Sequence, residues 1–155
     1  MVYVSQCLPK TGELQNVIHF TNMKGLRIQD CSESGYLSFD LADILALVPD
    51  AAKSAHWIVS DIDATMKEGC SLPDDNETLT WSWTTLLEFS ASVMQTIDGK
   101  FQSKASSHPN RIIIEAIDSS YWEVCTDHEE FLTALKEQFA EVRDLSVDEV
   151  RLISG

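Results

Sequence analysis

The chain has 155 residues, 44% of them hydrophobic, and a formal net charge of −14 from 11 basic and 25 acidic residues. That length can bury a core without metal or disulfide staples, and no apolar run approaches the ~20 residues of a membrane helix. A field of this sign repels phosphate backbones and anionic lipid, so nucleic acid and membrane are excluded as favoured partners, while basic proteins and cations are favoured.

The charge divides evenly: residues 1–78 carry 5 basic and 12 acidic side chains and residues 79–155 carry 6 and 13, or −7 in each half. Acidity is therefore a property of the whole surface and not of a tail, which predicts one domain over 1–155. In chain order, MVYVSQ is a strand or a loose end, and LQNVIHF (14–20) and GLRIQD (25–30) read as two strands joined by TNMK. SFDLADILALV (38–48) predicts a short helix capped by Ser38 or Asp40, with Leu41, Ile44, Leu45 and Val48 on one face and Pro49 beyond its end. HWIVSDID (56–63) alternates as a strand, with Trp57 and Val59 on one side.

Residues 65–80, rich in Gly, Pro, Asp and Asn, predict a long loop. The spacing of Leu86, Phe89, Val93 and Ile97 predicts an amphipathic helix over 82–97 with Ser82 as cap, followed by a turn at Asp98-Gly99 and an edge strand. SSHPN (106–110) is a turn, 111–117 and 121–125 are strands, and DHEEFLTALKEQF (127–139) is a second amphipathic helix capped by Asp127 or Thr126. The tail 141–155 supports either a strand or a short helix. Hairpin-like strand pairs with helices between them predict an α+β fold: a mostly antiparallel sheet with two or three amphipathic helices packed on it.

Within RIIIEAIDSSYWEV, a hairpin with an even-numbered loop sets Ile117 opposite Trp122 and Glu115 opposite Val124. Glu115 and Trp122 then share a face, with Glu123 on the other. A carboxylate between Ile113 and Ile117 needs a partner, an edge or a raised pKa; Arg111, Lys100 and Lys104 are the expected partners. Glu115 and Trp122 are accordingly the candidate ligand-binding residues.

Other chemistry is sparse. Asp61 and Asp63, two apart, are a weak Mg²⁺ or Ca²⁺ signal. His19, His56, His108 and His128 lack zinc spacing, and Cys7, Cys31, Cys70 and Cys125 form no C-x-x-C pair. No phosphate-cradling glycine series and no G-x-S-x-G is present. No metal, cofactor or catalytic residue is therefore assigned. The opening MVYVSQCLPK lacks the charge and apolar pattern of a secretory leader, which with the scattered cysteines predicts a cytoplasmic protein with reduced thiols. Trp81 and Trp83 lie beside the acidic run Asp74, Asp75 and Glu77, and one exposed tryptophan there would anchor a basic partner.

Size and charge resemble those of immunity proteins that neutralise basic toxins. The leading expectation is a small acidic module of immunity or inhibitor type that holds a basic protein partner without catalysis. Two other classes are weighed against it: a metal-assisted hydrolase on Asp61, Asp63 and Glu115, and a small-ligand carrier with a pocket between sheet and helix.

Overall fold

The computed structural model describes residues 23–74, 77–104 and 111–155. The expected elements at 1–6, 14–20 and 106–110 lie outside them. Seven strands form one antiparallel sheet: β1 (Lys24–Ile28), β2 (His56–Met66), β3 (Leu79–Trp81), β4 (Val93–Lys104), β5 (Ile112–Ile117), β6 (Tyr121–Thr126) and β7 (Val142–Asp144), in the order β3-β2-β4-β5-β6-β1-β7. Among the described residues, five helices lie between or after them: α1 (Leu41–Leu45), α2 (Asp50–Lys53), α3 (Trp83–Ser92), α4 (Glu129–Gln138) and α5 (Val147–Ser154). The α+β expectation holds, with more helices than foreseen because α2 adds a separate turn after Pro49 and the undecided tail supplies both β7 and α5.

The sheet is covered on both faces. On the first face Leu26, Ile28, Trp57, Val59, Phe101, Ile112, Ile114, Trp122 and Val124 join apolar side chains of α1, α3 and α4 in the main core. On the second face Ile113 and Cys125 pack with Leu145 and with Val150 and Ile153 of α5. The near-continuous burial of β5 and β6 follows from this two-sided cover, successive side chains going to opposite faces. Burial pushes the Cys125 thiol up to about 12, which leaves it an inert core side chain. Cys31 and Cys70 are exposed free thiols.

Three expectations need correction. First, α3 stops at Ser92, and Val93 to Ile97 begin β4 instead of finishing the helix. Val93 takes extended angles (φ −87°, ψ 134°), because this segment finds a partner in β2, with Thr96 opposite Ala64 and Val93 opposite Met66. Second, Asp98-Gly99 is no turn, and β4 is no edge: it lies between β2 and β5. Gly99 stands mid-strand because a Cβ there would come within 3.0 Å of the Phe101 ring. Third, α4 is preceded by His128 without a side-chain cap, while the Thr126 hydroxyl accepts from the His128 N–H one step earlier. For β1, both edges are filled, by β6 and β7.

α1 begins as expected at Asp40, in a reciprocal capping arrangement: its carboxylate accepts from Leu41 N–H at 2.7 Å and Asp43 accepts from Asp40 N–H at 2.9 Å. Ser82 caps α3 through its hydroxyl, which accepts from Thr85 N–H.

Candidate functional site

The hairpin of β5 and β6 decides where the acids go. Its loop has three residues, Asp118, Ser119 and Ser120, between the paired Ile117 and Tyr121. Asp118 (φ 47°) and Ser119 (φ 55°) are both left-handed, a conformation that carries a steric cost without glycine. It is held by Ser119 N–H on the Ile97 carbonyl (2.9 Å) and Asp118 N–H on Asp98 Oδ1 (2.8 Å). An odd loop shifts the register by one, so Glu115 stands opposite Glu123 and Trp122 stands opposite Ala116. The expected pairing is thus overturned: Glu115 and Glu123 share the second face, while Trp122 faces the main core at 1% exposure. Glu115 and Trp122 cannot line one pocket.

The register aligns a row of polar side chains across the second face. Ser60 pairs with Lys100, Lys100 with Glu115, Glu115 with Glu123, Glu123 with Arg27, and Arg27 with Arg143. Arg27 donates through Nε (3.0 Å) and Nη2 (2.6 Å) to Glu123 Oε1 and lies 4.1 Å above the Tyr121 ring. Arg143 continues the row to Glu149 of α5 through two 3.1 Å bonds, which help hold Glu149 down at about 2. Lys100 Nζ donates to the Ile153 carbonyl at 2.8 Å, a cation at the negative end of α5.

Glu115 is the half-buried flaw in this row. Burial pushes its pKa above the usual 4.5, Lys100 opposes that shift, and Glu123, Asp61 and Asp98 add to it. A raised carboxylate binds its proton more tightly folded than unfolded, so stability is lost as pH climbs through the carboxylate range. Glu115→Gln is therefore expected to raise the urea midpoint near neutral pH, with the gain shrinking on approach to pH 4.5 or below. A Gln variant less stable than the parent at neutral pH would mean that attraction to Lys100 outweighs burial.

The same fields trace an acidic collar around the first half of β4. Thr96 N–H and Oγ1 bind the Asp40 carboxylate at 2.8 and 2.6 Å. Two residues on, Asp98 pairs across to Asp63 of β2 and accepts from the Asp118 backbone. Asp61 (φ 56°) sits in the register break between Ser60 and Asp63. Asp40, Asp43, Asp61, Asp63, Asp98 and Asp118 are thereby drawn from four stretches of sequence to one strand segment, and Asp43, Asp61, Asp63 and Asp118 are exposed. The lysines that flank the collar are aimed elsewhere: Lys67 Nζ donates to the Ala91 carbonyl at the end of α3, and Lys100 to α5.

Of the residues singled out from sequence, Asp61 and Asp63 belong to this collar, and Glu115 feels its charge. Among the described residues no three His, Cys, Asp or Glu side chains converge as a metal-binding group, so Asp61, Asp63 and Glu115 are not gathered into one. Trp81 and Trp83 are half-buried instead of one being exposed. Trp81 packs 5.1 Å from the Phe89 ring, and Trp83 lies 5.8 Å from Trp57 with the Lys53 ammonium 5.9 Å from its ring. Asp74 and Glu77 are exposed beside them; Asp75 lies outside the described residues. Sequence reasoning missed Asp98 and Asp118 as part of a site. The D-x-x-D spacing of Asp40 and Asp43 was the one local signal for the collar's far end.

No helix among the described residues is long and apolar enough to cross a membrane. The chain matches no protein-family model, no curated protein and no solved structure.

Proposed function

We propose that this protein is a binding module that holds a basic protein partner, of the immunity or inhibitor kind, with the aspartate collar around β4 as its contact. The observation that carries the reading is that exposed Asp43, Asp61, Asp63 and Asp118, from separate stretches, lie on segments that adjoin the first half of β4, in a chain of net charge −14. Left-handed backbone at Asp61, Asp118 and Ser119 supports it, since strain of this kind collects where a surface is shaped for contact. The general field would steer a basic partner inward, and the collar would fix its register. The Trp81 and Trp83 corner with Asp74 and Glu77 is the second edge of the proposed contact.

The test is capture on immobilised protein from the source lysate at low and high salt, with an unrelated protein of equal negative charge as control. Asp61→Asn with Asp63→Asn removes two charges while asparagine tolerates the left-handed angles at 61. The expected result is a basic species retained at low salt by the parent but not by the control, weakened by the double substitution. Its association rate should fall as salt shortens the screening length to ~8 Å. Trp81→Ala and Trp83→Ala report whether the second edge takes part. No species beyond those on the control, at any salt, overturns the reading.

A further inference from the structure

An open hollow of about 360 Å³ lies at the end of the collar, where the turn before α1 meets the start of β4; Tyr36, Phe39, Asp40, Asp43, Met94 and Thr96 are among its lining. Its walls and floor differ in chemistry. Tyr36 and Met94 flank it, two of the most exposed large apolar side chains among the described residues, at 68% and 65%. Such side chains standing free around a concavity mark contact surfaces more often than they mark packing. Asp40 and Asp43 bring carboxylates to the same hollow, and among the described residues no lysine or arginine lines it.

The hollow is built in advance. Asp40 ties α1 to β4 through both Thr96 bonds. Tyr36 is carried on a closed turn: its carbonyl accepts from Ser32 N–H at 2.7 Å and Ser32 Oγ at 3.1 Å, and Cys31 bridges to Leu37. Gly35, at φ 84°, permits that turn. An aromatic ring on a fixed backbone binds with less entropy lost than one on a mobile loop.

Resting on the proposed function above, we infer that this hollow seats an arginine side chain of the partner. The guanidinium meets the Asp40 and Asp43 carboxylates, and its planar face and methylene stem lie along Tyr36, Phe39 and Met94. Arginine fits this lining better than lysine, because a flat, weakly hydrated cation can stack on a ring while hydrogen-bonding carboxylates at its edge. Hydrogen bonds from Leu41 and Thr96 already fix the Asp40 carboxylate in place, and exposed Asp43 keeps one oxygen open toward a cation; a neutral or acidic side chain would gain nothing from either charge.

The experiment follows backbone amide resonances of the whole chain while acetyl-arginine amide is added, with acetyl-citrulline amide as its uncharged isostere. The arginine probe is expected to shift Tyr36, Asp43 and Thr96 with a dissociation constant on the order of millimolar, and citrulline to leave them in place. Tyr36→Ala and Met94→Ala alter exposed side chains only; each should cut those shifts severalfold. Each should also weaken retention of the captured partner roughly tenfold or more, as expected of an aromatic anchor. Equal shifts with citrulline, or arginine shifts confined to Asp61 and Asp63, overturn the hollow as an arginine seat. Salt-dependent capture would survive those outcomes and keep the functional reading. Arginine-specific shifts at the hollow with no retained protein at any salt would instead support the seat and sink that reading.

Discussion

Replacing Trp122 with alanine is expected to destabilise the protein by about 3–5 kcal/mol, the usual cost of truncating a buried aromatic. The indole is 1% exposed, and its ring lies 6.4 Å from Phe101 in a stacked arrangement across the central strands. Its neighbour in register on β5 is Ala116, and Phe101 and Val124 are fully buried around it. Small and fully packed neighbours cannot close the space, so the cavity contribution adds to the lost transfer energy. Urea denaturation followed by tryptophan fluorescence and circular dichroism measures the loss. Leu152→Ala, at a position 84% exposed, is the control and should stay within about 0.5 kcal/mol. A Trp122 variant that loses less than about 1 kcal/mol would mean that the indole is not the keystone of the first face.

The sequence made that burial legible while misplacing the face. The β-branched and aromatic runs in 111–125 announce two strands, and Trp122 is apolar on either face, so the element and its burial could be read directly. The face depends on whether the loop holds an even or an odd number of residues. Three residues close it here, two of them left-handed, at Asp118 and Ser119. Aspartate is a common left-handed residue, but serine is not, and no glycine announces the turn. What holds it is Ile97 and Asp98 on another strand, so the information lies in the tertiary structure.

The end of α3 failed for a related reason. Leu86, Phe89, Val93 and Ile97 fit a helical stripe, yet Val93 and Ile97 are β-branched and serve a strand as well once β2 is beside them. No glycine or proline separates helix from strand. Gly99, read as a turn signal, is instead the space over which the Phe101 ring lies. The acidic collar depends on both of these points: Asp98 enters it only because β4 starts early, and Asp118 only because the odd loop docks on β4. Asp61 and Asp63 were visible as a pair, but their company was not.

The polar row on the second face leads to the other large effect. Arg27→Met is expected to destabilise the protein by about 3 kcal/mol, the low end for removing one partner of a buried ion pair, since the Arg27 side chain keeps 23% exposure against 8% for Glu123. Met conserves much of the packing on Tyr121, so the loss comes from charge. Without the guanidinium, Glu123 has a carboxylate directly across from it on β5, at Glu115, and like charges directly opposed repel. Arg143, next in the row, is engaged with Glu149 and holds α5 in place. The measurement is again a urea midpoint, now on a cycle that includes Glu123→Leu and the double variant. Arg27→Met with Glu123→Leu is expected to recover most of the loss, because a matched apolar pair replaces a buried ion pair with little net cost. If the double variant were as unstable as the sum of the two single ones, Arg27 and Glu123 would act independently. The row from Lys100 to Arg143 would then be a set of solvated side chains and not the bond between sheet and α5.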